Sequence, residues 1–254
     1  MSNDDYMLVT KDVTKAFGGL VAVRRVSINV RRGSITMLMG PNGAGKTTFV
    51  NTCTGVYKPD EGRIYFDGID ITGLPPHKVF KLGFVRTFQI PIPFQSLTVL
   101  ENVLAAMNSN GEHPLIAPIR RAWIREEEES VKKAFDILNK VGLSAFWDLP
   151  AYKLGAAQLK MLEVARALAA GAKLIALDEP VGGVDPAYAH RIFNYIRCLK
   201  EDLKMTFLLI EHRIDVALRY VDYVYVMDKG ALIAEGTPDE VVRNPKVIEI
   251  YIGE

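Results

Sequence analysis

Apolar and polar positions cut this chain into short segments of two periods. Residues Met7 to Val30 hold two strand candidates; in the second, Val26-Ser27-Ile28-Asn29-Val30, the alternation has period two, and Arg31-Arg32-Gly33 then turns the chain. The unbroken apolar run Ile35 to Met39 predicts a buried strand, and Thr47 to Thr54 a helix. Lys58 to Gly68 reads turn, strand, turn, as in a small antiparallel sheet. A short helix from Pro75-Pro76 to Leu82 and a strand from Gly83 to Gln89 follow.

The pattern changes between Ile90 and Gly155. Pro91 and Pro93 interrupt the chain, helical spacing covers Thr98 to Met107 and Ile119 to Val141, and Ser109 to Pro118 reads as a loop. No β-branched-rich run occurs there, which predicts a mainly helical insert over 90–155. From Ala156 the α/β alternation returns. An amphipathic helix to Ala170 precedes an apolar strand, Leu174 to Leu177, that ends in Asp178-Glu179. Helix Pro186 to Glu201, strand Met205 to Ile210, a helix from Ile214, strands Tyr223 to Met227 and Ala231 to Glu235, and helices Pro238 to Arg243 and Lys246 to Tyr251 complete the chain. The predicted class is α/β in one domain, with 1–89 and 156–254 as frame and 90–155 as insert.

Chemistry enters at Gly40-Pro41-Asn42-Gly43-Ala44-Gly45-Lys46-Thr47-Thr48, which fits the phosphate-loop template of a Gly, four residues, then Gly-Lys-Thr. The template needs a strand before it and a helix after it, and both are predicted. Glycines let backbone N–H groups close on a polyphosphate without a Cβ in the way. The helix start aims unpaired N–H groups and its positive dipole end at the same anion. Lys46 would reach the β- and γ-phosphates, and the Thr47 hydroxyl would ligate Mg²⁺.

Other polar groups fall at the carboxyl ends of predicted strands, where ligands sit in wound α/β sheets: Gln89, Asp178, Glu179 and His212. Asp178 could hold Mg²⁺ through water, and Glu179 could orient or deprotonate an attacking water. The alternative for this pair is a solvated β-to-α turn. Gln89 could reach the metal or the water through its amide oxygen, or belong to an ordinary loop. His212 could donate to a γ-phosphate or be a satisfied, partly buried side chain. Phe17, followed by two glycines, could stack on a purine or sit in the core.

Composition narrows the partners. With 31 basic against 30 acidic residues the formal charge is +1, so bulk electrostatics gives no support for nucleic-acid binding. The run Glu126 to Glu129 reads as a solvated helix face that would repel a phosphate backbone. Cys53 and Cys198 both read as buried apolar side chains, which suits a reducing cytoplasm. The acidic start Met1 to Asp5 is unlike a signal peptide, and no uncharged apolar run approaches the ~18 residues of a membrane span. A soluble protein that can sit on a membrane partner is expected.

Taken in order, these residues resemble the ATPase subunit of ATP-binding-cassette transporters, over nearly the whole chain. The resemblance makes Phe17 the adenine-stacking aromatic, Gly40 to Thr48 the phosphate loop, and Gln89 the loop joining core to helical subdomain. Leu154-Gly155-Ala156-Ala157-Gln158 stands at the family signature, Leu174 to Glu179 at the strand carrying the Mg²⁺ and catalytic acids, Asp185 at the loop crossing the dimer, and His212 at the switch histidine. It implies a P-loop NTPase core with a mixed, RecA-like sheet, an N-terminal antiparallel β subdomain and a helical subdomain. It also implies ATP and Mg²⁺ as cofactors, with Lys46, Gln89, Glu179 and His212 as catalytic groups. Thr47, Gln89 and Asp178 would be the metal donors.

Arg86-Thr87-Phe88-Gln89, Leu97 to Val103, Leu162 to Leu168 and Val247 to Gly253 resemble the subfamily that serves branched-chain amino-acid uptake. The implied partners are a second such subunit, head to tail, membrane permeases, and indirectly an extracytoplasmic solute-binding protein, with no nucleic acid. The implied place is the inner face of the cell membrane. The usual signature, Leu-Ser-Gly-Gly-Gln, departs here: Gly155 replaces the serine, and Ala156 and Ala157 the glycines. The lost hydroxyl removes a charge-assisted hydrogen bond worth about 1.5–3 kcal/mol, so weaker dimerisation or slower turnover is expected. Two other readings stay open: a soluble ATPase of the same fold acting on nucleic acid or ribosomes, and a hydrolysis-impaired regulatory subunit.

Overall fold

The computed structural model describes residues 5–107, 120–212 and 214–252, the side chains of 120–126, 186 and 252 excepted. The expected loop 109–118, Ile119, the first four residues, the Glu126 side chain and Gly253 lie outside the described residues.

Eleven strands and nine α-helices follow one another along the described chain. They are β1 (Tyr6–Phe17), β2 (Leu20–Val26), β3 (Asn29–Arg31), β4 (Ile35–Met39), α1 (Lys46–Cys53), β5 (Glu61–Phe66), β6 (Ile69–Asp70), α2 (Pro76–Lys81) and β7 (Phe84–Arg86). Then come α3 (Val99–Leu104), α4 (Arg120–Lys140), α5 (Ala156–Ala169), β8 (Leu174–Asp178), α6 (Pro186–Leu203), β9 (Thr206–Ile210) and α7 (Ile214–Ala217). The last are β10 (Tyr223–Asp228), β11 (Ala231–Gly236), α8 (Pro238–Val242) and α9 (Pro245–Ile252).

Two sheets result. One is antiparallel, in the order β2-β1-β5-β6 with β3 also on β1. The other runs β11-β10-β4-β9-β8-β7; it is parallel except for β11, which closes one edge antiparallel to β10. β4 is buried on both faces, as a central parallel strand must be. Its Ile35, Met37 and Met39 enter one apolar cluster, and Leu38 enters the other. The second cluster joins the two sheets and encloses Phe49, Val50 and Cys53 of α1, so the helix after the phosphate loop is clamped between layers. The first cluster runs on into Val99, Val103, Ala134, Leu138 and Leu154 of the helical insert. Insert and frame therefore share one core, to which α5 contributes Met161, Leu162, Val164, Ala165 and Ala167.

Three expectations need correction. The single strand over 26–30 is instead the junction of β2 and β3. β1 pairs with each in turn, and at the step side-chain oxygens replace ladder carbonyls: Ile28 N donates to Thr10 Oγ1 at 2.8 Å and Asp12 N to Ser27 Oγ at 2.8 Å. β7 stops at Arg86 rather than Gln89. Thr87 N still donates to Ala176 O at 2.9 Å, and the chain then leaves the sheet. Cys198 is exposed on α6, while Cys53 is buried, where desolvation pushes its thiol pKa up.

Candidate functional site

The joint between β4 and α1 carries the phosphate loop. Gly45 is the N-cap, at φ 95°, and a Cβ there would lie 2.3 Å from Ala22 O. A Cβ on Gly40 would lie 2.1 Å from Met227 O. Only glycine lets the loop lie this close to β2 and β10. No side chain caps α1 and no acid occupies its first turn, so its leading N–H groups remain available to an anion.

Lys46 opens α1 and is 9% exposed. Its ammonium donates to Gly40 O at 2.7 Å and Pro41 O at 2.9 Å, so its own loop serves as acceptor. Desolvation lowers its pKa, opposed by the nearby charges of Glu179, Asp178 and Glu211. A polyphosphate there would supply the counter-charge that the carbonyls only partly provide.

A cavity of about 780 Å³ spans this joint, lined among others by Phe17, Gly43, Lys46, Thr47, Thr48 and Glu179. Phe17 is exposed in it, which removes the core reading. Its ring stands edge-on to Tyr57 with centroids 5.1 Å apart, and Lys15 Nζ lies 5.4 Å from its centroid. Asp60 fixes that lysine at 2.9 Å and accepts from Ala16 N at 2.6 Å. A flat base could lie on Phe17 while its phosphates reach Lys46.

The strand-end acids differ in exposure and partners, though both lie near enough to Lys46 to act on its charge. Glu179 lines the cavity and adopts φ 48°, a left-handed backbone that a side-chain-bearing residue holds only when its surroundings enforce it. Gln89 Nε2 donates to its Oε2 at 2.6 Å, and His212 Nδ1 lies 3.5 Å from its Oε1. Two of the predicted groups thus flank the third. Asp178 is buried, its Oδ2 2.6 Å from Arg86 Nη2. Arg86 also donates to Asn51 Oδ1 of α1, tying β7, β8 and the phosphate-loop helix together. The donor set suits Mg²⁺, a hard ion that takes oxygen ligands: the Thr47 hydroxyl, the second Asp178 oxygen and Gln89 Oε1, whose Nε2 is engaged elsewhere.

The remaining predicted residues stand apart. Gly155 is the exposed N-cap of α5, at φ −73°, and its N–H donates to Gln158 Oε1 at 2.8 Å. Neither Ala156 nor Ala157 has positive φ, so the alanines carry no backbone strain. Asp185 is the exposed N-cap of α6 and accepts from Ala187 N at 2.8 Å. Neither belongs to the cavity. Sequence reasoning missed Arg86, Asn51, Tyr57 and Lys160. A usable signal existed for the last: Lys160, Glu163 and Arg166 interrupt the apolar side of α5 at regular spacing.

Such a joint could hold a nucleoside triphosphate, its base on Phe17 and its phosphates at Lys46, beside an acid able to orient a water. Fold and site together define a P-loop nucleotide-binding cassette. The sequence matches the family described as ABC transporter over residues 23–182, and residues 231–254 match one described as branched-chain amino acid ATP-binding cassette transporter. The chain belongs to the ABC transporter family, as an ATP-binding, ATP-hydrolysing subunit.

A protein of Archaeoglobus fulgidus named probable branched-chain amino acid transport ATP-binding protein LivG is 48% identical over 247 residues, covering 97% of this chain and 95% of its own. One of the same name from Methanocaldococcus jannaschii is 47% identical, covering 98% of each. Among solved structures, the ADP conformation of an ATP-binding cassette of an ABC transporter superposes with a TM-score of 0.85 at 46% identity, over 98% of this chain and 99% of that one. A dimeric bacterial ABC transporter cassette superposes with a TM-score of 0.74 at 28% identity, over 91% and 99%.

Proposed function

We propose that this chain powers an importer of branched-chain or other hydrophobic amino acids. The observation that carries the hydrolytic part is Glu179, held between Gln89 and His212 at the edge of the cavity that contains Lys46. The solute class rests on the two LivG relatives, whose names state it.

In this reading ATP enters with its base on Phe17 and its phosphates in the loop Gly40 to Thr48. Lys46 exchanges its carbonyl partners for the β- and γ-phosphates. Glu179 orients the attacking water and takes up its proton, while Gln89 and His212 fix the carboxylate. Thr47, Gln89 and Asp178 would hold Mg²⁺, which when bound neutralises charge developing on the phosphates. Gly155, Ala156 and Asp185, exposed, and Gln158, half-buried, all lie outside the cavity and would face the nucleotide of a second subunit set head to tail; a dimeric cassette stands among the structural relatives. Alanines with ordinary backbone angles leave the α5 N-terminus intact as an anion site. ATP drives closure only through its higher affinity for the closed pair.

The partner surface is the groove of about 590 Å³ beside the insert, edged by the exposed rings of Phe80, Phe88 and Phe94 and by Ile92. We assign it to a cytoplasmic loop of a membrane permease, with 90–155 moving as the subdomain that carries this grip. No described helix is long and apolar enough to cross a membrane, so the chain would sit on the inner face of the membrane through that partner. A solute-binding protein would act from the other side, and no nucleic acid is involved.

The test is Glu179→Gln. Steady-state ATPase falls at least a hundredfold, and ATP then doubles the mass on a sizing column. Wild-type turnover by that variant would overturn the assignment. A membrane pull-down recovers permease subunits; recovery of RNA or DNA instead would favour the nucleic-acid alternative.

A further inference from the structure

Three charged side chains interrupt the apolar run of α5 at regular spacing: Lys160, Glu163 and Arg166. Residues three apart lie on one helix face, so the trio forms a ladder. It is no solvated stripe, since Lys160 is 6% exposed and Glu163 8%. Burying such groups is costly unless they meet polar partners. Their partners are backbone. Lys160 Nζ donates to Gln89 O at 2.5 Å and Phe88 O at 3.4 Å, and Arg166 Nη1 to Ile92 O at 3.0 Å. Burial raises the Glu163 pKa, opposed by the Lys160 charge, the Phe88 amide, the Arg166 charge and the Ile92 amide.

The segment held this way has just left the sheet. β7 ends at Arg86 and Thr87 makes the last ladder bond to β8, its hydroxyl also accepting from Asp178 N, so 88–92 has no ladder to satisfy its polar backbone. The α5 side chains replace that ladder. The residue they fix is Gln89, whose amide reaches Glu179.

We propose that Lys160, with Glu163 and Arg166, is a positioning device that sets Gln89 against Glu179 and thereby couples the signature helix to hydrolysis in its own subunit. The inference rests on the reading of Glu179 given above. Lys160 lies five residues after Gly155, about 7.5 Å along the helix axis. A shift of the α5 N-terminus against a partner's nucleotide therefore moves the Gln89 main chain with it. The site would sense whether the second nucleotide is present.

The experiment is a coupling cycle on the full chain with Lys160→Met, Lys160→Arg, Gln89→Ala and the Lys160→Met, Gln89→Ala double variant, following ATPase kcat and KM. Lys160→Met lowers kcat about tenfold with KM for ATP moved less than twofold, and Lys160→Arg restores most of it. The double variant is no slower than Gln89→Ala alone, because both changes remove one interaction. Multiplying losses in the double variant, or an unchanged kcat for Lys160→Met, overturns the proposal. Where Lys160→Met lacks the wild-type circular-dichroism spectrum, Arg166→Met takes its place under the same two criteria. Glu179→Gln is assayed in parallel. If it alone turns over normally, the reading of Glu179 fails; if it is inactive while Lys160→Met is normal, only the positioning device fails.

Discussion

Arg86 and Asp178 form a buried ion pair, Nη2 to Oδ2, at 2.6 Å, with side chains 13% and 6% exposed. The same guanidinium donates to Asn51 Oδ1. One arginine thus fixes the carboxylate proposed for the metal and the helix that carries the phosphate loop. Removing one member of a buried pair strands the other charge, at a cost of about 3–5 kcal/mol. Arg86→Met should lower the unfolding free energy by that amount, read as a fall in denaturant midpoint at constant slope. Arg86→Lys should recover only part, because an ammonium lacks the fork that spans both partners. A midpoint unchanged in Arg86→Met would mean that the pair holds nothing together.

Gly155 has room for a side chain. A Cβ there would find only Gln158 Oε1, at 3.5 Å, and the backbone is already in an extended N-cap conformation. Gly155→Ser should therefore fold normally and add a capping hydroxyl, worth a few tenths of a kcal/mol over glycine. If α5 faces a second subunit's γ-phosphate, the same hydroxyl adds about 1.5–3 kcal/mol to ATP-driven association. Sizing at graded protein concentrations should show dimers at roughly ten- to a hundredfold lower concentration in ATP, with no change in ADP. Equal gains in both nucleotides would assign the effect to the cap alone.

The residues that carried the sequence reading are those whose chemistry is local. The phosphate loop was legible because turn, strand and helix lie within twenty positions, and the strand Leu174 to Asp178 because five buried residues leave no other period. The β2–β3 junction was not, since Thr10 on β1 and Ser27 in the junction itself act there through side-chain oxygens, on partners 18 and 15 residues away. Cys198 looked apolar from its helix, yet it falls on the exposed face of α6, which periodicity places only to within a residue or so. Arg86 and Lys160 were missed for a shared reason. A charged residue within an apolar run looks like surface until the fold supplies its partner, and those partners lie as far as 92 positions away.

Phe17 should decide base recognition without touching phosphate recognition. Its ring shares the cavity with the loop but is steadied by Tyr57 and Lys15 rather than by the loop itself. Stacking of a base on an aromatic is worth about 1–3 kcal/mol by alanine substitution. Phe17→Ala should weaken ATP binding by roughly five- to a hundredfold and leave inorganic tripolyphosphate unaffected, measured by calorimetric titration of each. Parallel losses for both ligands would show that Phe17 supports the loop and not the base.

Asp67 joins the two sheets through charge, and this makes the fold pH-dependent. It follows β5, and its carboxylate lies 2.6 Å from Lys173 Nζ and 2.6 Å from Arg32 Nη2, which precede β8 and β4. The Lys173 hydrogen bond first, then that of Arg32, holds its pKa below the ordinary carboxylate value. A pKa depressed in the folded state adds stability above the unfolded value, about 3.9 for Asp, and that stability is lost as pH falls through the lower folded value. The side chain is 24% exposed, so solvent discounts the pair. Asp67→Asn should cost about 0.5–2 kcal/mol at pH 7, the sum of two partly exposed pairs, and the gap to wild type should narrow as pH falls below 4. Molar salt should narrow it at pH 7 as well, since the partly exposed Lys173 side of the network is open to screening. A gap that stays constant from pH 7 to pH 3 would rule out the ionised carboxylate as its source, leaving the shape of the Asp67 turn, at φ 51°, as the explanation.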